Sequence, residues 1–416
     1  MTARRQLALI ALVEVLAMAT WFSASAVVPA LRADWGVGDA GAAALTVAVQ
    51  LGFVAGALGS AALNLADRVP AHLLVAGSAA LAAGSTAVIA LAVESLGPAV
   101  ALRAVTGVAL AGVYPPGLKL MASWFDRGRG AALGVLVAAL TLGSAAPQLL
   151  NAVAVLPWRG VLLVASSLAA LAAVVAWAGV RPGPLARPAP PLAPRVVVSL
   201  LRQRGPRLAT LGYLGHMWEL YAVWTWLPAY LTASLLDRGL DATRTTVGLV
   251  SFAAIGVAGV AGCVVGGLAG DRLGRARVAG WAMRASAACC VLAAAVHGAH
   301  PALVAAVLAV WGFAVIADSG LFSTVLTEVV DPRYTGTALT TQTALGFLLT
   351  VVTINAVPVV VSATSWPVAT LLLAAGPVVG AVAMARLDRS TRLAGSGPTA
   401  RLTAAGDAPP RPGTPA

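Results

Sequence analysis

Apolar runs of roughly 20 residues, separated by short polar or Gly/Pro-containing breaks, recur from one end of the chain to the other. A run of that length crosses a ~30 Å hydrocarbon core as an α-helix. The pattern predicts twelve membrane helices, over 6–30, 43–65, 72–93, 97–119, 131–153 and 159–180, and then over 208–232, 246–268, 277–297, 302–324, 336–360 and 366–386. Glycine and proline inside several runs are compatible with helix, because membrane helices tolerate both. Residues 181–207 are rich in Pro and Arg, lack apolar periodicity and read as a linker. The expected division is a six-helix bundle over 1–180, the linker 181–207, a second six-helix bundle over 208–390 and a disordered, Gly/Pro/Thr/Ala-rich tail over 391–416.

Composition narrows the class. The chain is 59% hydrophobic and 10% charged, whereas a soluble domain carries about a quarter charged residues. The fold class is therefore all-α integral membrane. The formal charge of +12 would suggest nucleic acid in a soluble protein. Here the basic residues lack interleaved aromatics and alternate in space instead. With the N-terminus in the cytoplasm, 21 of them fall on the inner side and 4, namely Arg32, Arg159, Arg238 and Arg244, on the outer. That asymmetry predicts a multi-pass protein of the inner (plasma) membrane with both termini cytoplasmic, its basic face against membrane lipid, and no nucleic-acid partner. Arg4 and Arg5 before an apolar run ending Ala24-Ser25-Ala26 resemble a signal peptide. Glu14, bulky Trp21-Phe22 and a full-span length point instead to a retained first helix.

Cys263, Cys289 and Cys290 all lie in apolar runs, with neither a disulfide framework nor metal-ligand spacing. No nucleophile–base pair or phosphate-binding loop stands at a usable spacing, so no enzyme, cofactor or metal is expected.

The two halves align with each other. Glu14 and Trp21 recur as Glu219 and Trp226; Asp67-Arg68 recurs as Asp271-Arg272; Arg127-x-x-Gly130-x-Ala132-Leu133 recurs as Arg333-x-x-Gly336-x-Ala338-Leu339. All three matches fall at an offset of about 205 residues. Repeats of six helices with the same topology imply a two-fold axis along the membrane normal, with substrate near mid-membrane where the halves meet.

The segment Gly267-Leu-Ala-Gly-Asp271-Arg272-Leu-Gly274-Arg275-Ala-Arg277 resembles, nearly in full, the cytoplasmic loop motif of the Major Facilitator Superfamily. The resemblance covers residues 1 to about 390. In the equivalent loop between helices 2 and 3, Asp67 and Arg68 remain while Leu63, Pro70 and Ala71 replace the flanking elements. Arg103-x-x-x-Gly107 is similar to the family's fourth-helix motif, which implies a part in proton coupling. The resemblance also implies a cytoplasmic latch made by Asp67, Arg68, Asp271, Arg272 and Arg275, with Gly267 and Gly274 letting helix ends approach. In this family helices 2, 5 and 11 line the cavity, which points to Gln50, Gln148, Asn151, Gln342 and Asn355. Trp124-Phe125 followed by Arg129-Gly130-Ala-Ala-Leu-Gly134 is similar to the nitrate/nitrite porter branch, although helices 2 and 8 carry no arginine. Gly143-Ser-Ala-Ala-Pro147 echoes the antiporter motif of drug exporters.

Charge inside a membrane costs about 2.5–3.5 kcal/mol at helix centre and marks function by default. Glu14 and Glu219 fall near mid-depth on repeat-related helices. Glu14, Met18, Trp21 and Ser25 share one face, and Glu219, Val223, Trp226 and Tyr230 the matching one, with His216 one turn below. Burial disfavours the charged form of a carboxylate, so either group can exchange a proton during a transport cycle. Arg103 could hold an anionic substrate bidentately or pair with Glu14. Trp21 and the aromatic-rich helix 7 with Trp226 could line a cavity for an aromatic or cationic solute. Trp226 and Tyr230 could instead belong to the outer aromatic belt, for which Trp218, Tyr221 and Trp224 lie too deep. The expected function is secondary active transport of a small solute by alternating access, coupled to protons, by a monomer. The alternatives are a drug or metabolite exporter working as a proton antiporter, and a sensor or scaffold that kept the fold without transport.

Overall fold

The computed structural model describes residues 2–63, 65–125, 129–153, 156–186, 198, 202–331 and 334–395. Among them no strand occurs, and the helical segments group into twelve rods. In the first half these are α1 (Ala3–Met18, continued by Ser23–Ala26 and Val28–Trp35), α2 (Asp39–Ala62), α3 (Ala71–Ala92), α4 (Leu96–Ala111, continued by Tyr114–Ala122), α5 (Arg129–Val153) and α6 (Trp158–Gly179). The second half holds α7 (Arg204–Asp237), α8 (Arg244–Leu273), α9 (Arg275–Ala295), α10 (Pro301–Ala317, continued by Ser319–Val329), α11 (Thr335–Ala363) and α12 (Trp366–Leu373, continued by Ala375–Gly395). A single helical turn, Leu65–Arg68, joins α2 to α3.

Among the described residues ten rods are long and apolar enough to cross a membrane. The two that fall short are α1 and α7, the pair that carries Glu14 and Glu219. The longest piece of α1 has 16 residues, because the helix stops at Met18. α7 has ample length, 34 residues, but His216, Glu219 and its Trp/Tyr content make it less apolar. Linker residues 187–197 and 199–201, and the tail from 396 on, lie outside the described residues. α12 runs to Gly395, beyond the boundary expected at 390.

Local chemistry sets the rod ends. Thr2 and Thr243 cap α1 and α8 by accepting from the backbone N–H of Arg5 and Thr246. Pro70 and Pro157 immediately precede α3 and α6, where a missing N–H costs nothing. Gly274 ends α8 and starts α9 at φ 98°, a backbone conformation that side chains with a Cβ rarely adopt. Pro147, Pro228 and Pro358 sit inside α5, α7 and α11.

Packing follows the repeat. α2 lies on α4, α3 on α4 and α6, and α1 on α5 and α6; in the second half α8 lies on α10, α9 on α10 and α12, and α7 on α11 and α12. Glycines make the closest approaches. A Cβ at Gly56 would stand 2.7 Å from Val108 O, and one at Gly107 2.8 Å from Phe53 N. Their repeat mates do the same between α8 and α10, where a Cβ at Gly262 or Gly312 would meet the backbone of Phe313 or Ala254. Two seams join the halves, α2 against α11 and α5 against α8. On the second seam α8 widens into a π-helix over Phe252–Ala258, a feature frequent at functional sites. The start of the linker docks on α4: Gly183 N donates to Ser123 Oγ at 2.8 Å and Leu185 N to Ser123 O at 3.0 Å.

Candidate functional site

α1 breaks where Arg103 meets it. The turn at Ala19–Phe22 leaves carbonyls without the usual i+4 donor, and Thr20 and Ser23 turn their hydroxyls back to Ala17 O and Thr20 O. Arg103, on α4 and fully buried, supplies the missing donors. Its Nη1 donates to Thr20 O at 2.7 Å and to Ser23 Oγ at 3.4 Å, its Nη2 to Trp21 O, and its Nε to Leu45 O at 3.3 Å on α2. The ion pair with Glu14 that the sequence allowed is not made. The guanidinium instead caps the broken end of one helix and ties it to a second. α5 adds to the same junction, since Asn151 Nδ2 donates to Ala26 O at 2.8 Å.

Glu14 is 1% exposed and its Oε1 has no hydrogen-bond partner. Its Oε2 faces α4 beside Gly117, where a Cβ would approach to 3.2 Å. Gln50 on α2 is fully buried with neither amide atom partnered.

Glu219 occupies the equivalent depth on α7 with a fuller set of contacts. Ser286 Oγ on α9 donates to its Oε1, as does Trp311 Nε1 on α10 at 3.0 Å, while Oε2 is buried without a partner. One turn towards the start of α7, His216 Nδ1 lies 2.9 Å from Asp318 Oδ1, ion-pair distance but off the line of a hydrogen bond. His216 Nε2 is 3.3 Å from Ser319 Oγ. Asp318 is the break in α10, and the corresponding break in α4 falls at Gly112–Val113. Sequence reasoning missed Ser286 and Trp311 as site residues, and it read Asp318 only as a charge towards the cytoplasmic end of helix 10. For Asp318 the repeat offers a stronger signal, because helix breaks fall at matching places in both halves.

The aromatic residues separate. Trp21 joins the α2/α11 seam, with its ring centroid 5.1 Å from Phe53, 5.8 Å from Tyr221 and 5.7 Å from Phe347. Phe22 stacks on Trp224 at 5.7 Å, and Phe53 meets Phe347 at 4.5 Å. Together these rings plug the seam. Trp226 turns away into the second half, where Nε1 donates to Ile354 O at 2.9 Å and the ring lines a small apolar cavity of about 20 Å³ with Tyr230, Trp311 and Trp366. Gln342 Nε2 donates to Ala209 O at 3.4 Å, linking α11 to α7. Gln148 is buried on the α5/α8 seam beside Gly248. Asn355 stands apart, exposed and bonded to Val351 O on its own helix.

The expected latch closes within one half. Arg275 reaches Asp271 Oδ1 at 2.9 Å and also Glu328 at the end of α10, so the α8–α9 loop is tied to its own bundle rather than across the seam. The reason is proximity: the end of α10 lies beside that loop, and Gly270 lets it approach, since a Cβ there would be 2.6 Å from Leu321. Arg272 and Arg68 are exposed, Gly267 has open space around it, and the side chain of Asp67 lies outside the described residues. Among the described residues no group of His, Cys, Asp and Glu could hold a metal ion.

Two of the solved structures that share the fold are transporters. A nucleoside transporter, NupG, superposes with a TM-score of 0.70 at 14% identity, covering 93% of this chain and 100% of that one. The human organic anion transporter MFSD10 (TETRAN) superposes with a TM-score of 0.71 at 16% identity, covering 92% of this chain and 99% of that one. Among curated proteins none matches the sequence. The family model of the Major Facilitator Superfamily matches residues 10–354. These are transporters of small-molecule solutes and not enzymes; this chain is a multi-pass membrane protein that belongs to the Major Facilitator Superfamily.

Proposed function

We propose that the protein is a proton-coupled secondary transporter that moves a small solute by alternating access between two six-helix bundles, 1–180 and 208–390. In this reading α1 and α7 also cross the membrane, giving twelve spans, and both termini lie in the cytoplasm of a monomer in the inner membrane. One observation carries the coupling: Glu14 and Glu219 occupy repeat-related positions in mid-bundle, and each keeps a buried carboxylate oxygen with no partner. An ionised carboxylate left so is costly, and taking up a proton removes the charge during the occluded part of the cycle. Glu14 faces α4 next to the seam and is the group nearer a solute. Glu219 is tied to α9 and α10 and would report the state of the second bundle. Gln50, with an unpartnered buried amide, suits a solute contact.

A thermal-shift screen of the purified protein against metabolites, anions and drugs supplies the solute. Reconstituted vesicles with an internal pH-sensitive dye then test the coupling. Glu14→Gln or Glu219→Gln is expected to abolish uphill accumulation and the accompanying pH change, while exchange down a solute gradient partly survives. Unchanged accumulation and pH signal in both variants would reject coupling through these carboxylates.

A further inference from the structure

On the outside of the second bundle, a groove of about 430 Å³ runs between the start of α9 and the end of α12. Its walls carry Arg277, Trp281 and Arg284 from α9, and Asp388 and Arg389 from α12. Positions 277, 281 and 284 share one face of a helix. The floor is a close helix approach at Gly280, where a Cβ would stand 3.3 Å from Met384 Cβ. Three guanidinium groups face one carboxylate. That carboxylate is engaged with one of them, since Asp388 Oδ2 lies 3.5 Å from Arg277 Nε. Arg284 and Arg389 are exposed, and among the described residues neither makes an ion pair or hydrogen bond. Trp281, between the arginines, is 47% exposed.

The depth of Arg284 makes this more than a charged surface. It lies nine residues into α9 from Arg275, roughly 14 Å along the axis. An arginine at that depth on the outer face of a bundle looks onto lipid, not water. Its charge must reach the headgroup layer and find an anion there. A guanidinium fork matches the paired oxygens of a phosphate, and an indole at the same level suits the amphipathic boundary between headgroup and chain. We propose that this groove is a binding site for an anionic phospholipid, with Arg284 and Arg389 clasping the headgroup phosphate and Arg277, held by Asp388, adding charge from behind. In the topology proposed above the site opens to the cytoplasmic leaflet. Only that choice of leaflet rests on the transport reading.

The test uses the full chain in neutral detergent and native mass spectrometry of bound lipid. The probes are phosphatidylglycerol, phosphatidylcholine with the same acyl chains, and inorganic phosphate. Phosphatidylglycerol is expected to bind in preference to phosphatidylcholine. Each of Arg284→Gln and Arg389→Gln is expected to weaken that binding roughly fivefold, from the ~1 kcal/mol an arginine contributes at an anionic surface. Arg284→Lys should retain part of the effect, which separates loss of charge from misfolding. Equal binding of the two lipids, or unaltered binding in both Gln variants, would overturn the proposal. So would inorganic phosphate displacing phosphatidylglycerol at equal concentration, because the site would then be one for a free anion. The measurement needs neither a gradient nor sidedness, so its failure and the failure of proton coupling are read separately.

Discussion

At the scale of single residues, the most instructive one is Arg103. A buried arginine beside a buried glutamate invites the reading of an ion pair, yet its donors go to the carbonyls of Thr20, Trp21 and Leu45. Removing it would leave several buried acceptors without donors. Hydrogen bonds to a charged group are worth about 1.5–3 kcal/mol each, so Arg103→Leu is expected to cost 3 kcal/mol or more, on the order of two such bonds. Arg103→Lys keeps the charge and loses the planar fork, so it should cost less. Thermal unfolding of the two variants in detergent checks the order. A double-mutant cycle with Glu14→Gln adds a second readout. Unpaired groups should give additive effects within about 0.5 kcal/mol, and a larger coupling would show that the two side chains meet after all. Glu14 and Glu219 themselves were legible in the sequence, because charges are scarce there and these two recur at the repeat distance. The partner of Arg103 was not legible. It depends on where α1 breaks, about 80 residues earlier in the chain, and no local signal such as an internal glycine or proline marks that break. Asp318 was visible as a charge on helix 10, but its contact with His216 was not, because α10 breaks at that residue.

At the scale of elements, hydropathy located the rod ends to within about five residues, since the bilayer fixes how much apolar chain each must supply, except that α12 runs well past its expected end to Gly395. What hydropathy could not show is how closely particular rods lie. The glycines within the runs were read as tolerated. The structure uses Gly56, Gly107, Gly262 and Gly312 as contact points at which backbone touches backbone. Without a hydrophobic force between helices in lipid, such close packing is a main source of association. Gly56→Ala and Gly312→Ala should therefore each destabilise by about 1–3 kcal/mol, the usual cost of overpacking. Gly77 and Gly84 on α3 supply the control, because a Cβ at either meets nothing within 4 Å. Alanine there should be neutral or slightly stabilising, since it lowers the entropy lost on forming helix. Circular dichroism melts of the four variants would decide. Equal effects at all four positions would mean that helix propensity, not contact between α2 and α4 or between α8 and α10, governs the glycines.

At the scale of the whole molecule, what matters is which surfaces separate during a cycle. The α2/α11 seam is filled by Trp21, Phe53, Tyr221 and Phe347, and the α5/α8 seam is held by Thr245 donating to Ala152 O at 3.1 Å and by Arg244 donating to Leu156 O at 3.1 Å. In the proposed topology these last contacts lie at the outer end of both rods, so the structure is closed on that side. A transporter working by alternating access must open them once per cycle, whereas a sensor or scaffold of the same fold need not. Cysteines at Gly248 and Ala152 can test this, because a Cβ at position 248 would stand 2.7 Å from Ala152 Cβ. A disulfide spans ~3.8 Å between Cβ atoms and asks only a slight parting of the two helices. The three native cysteines are all buried and do not compete. Oxidation of the Ala152→Cys/Gly248→Cys protein is expected to arrest solute flux in vesicles, and reduction to restore it. If the bond forms in full and flux continues undiminished, the outer end of α5 and α8 does not part during transport, and rocking of one bundle against the other is not how this protein works.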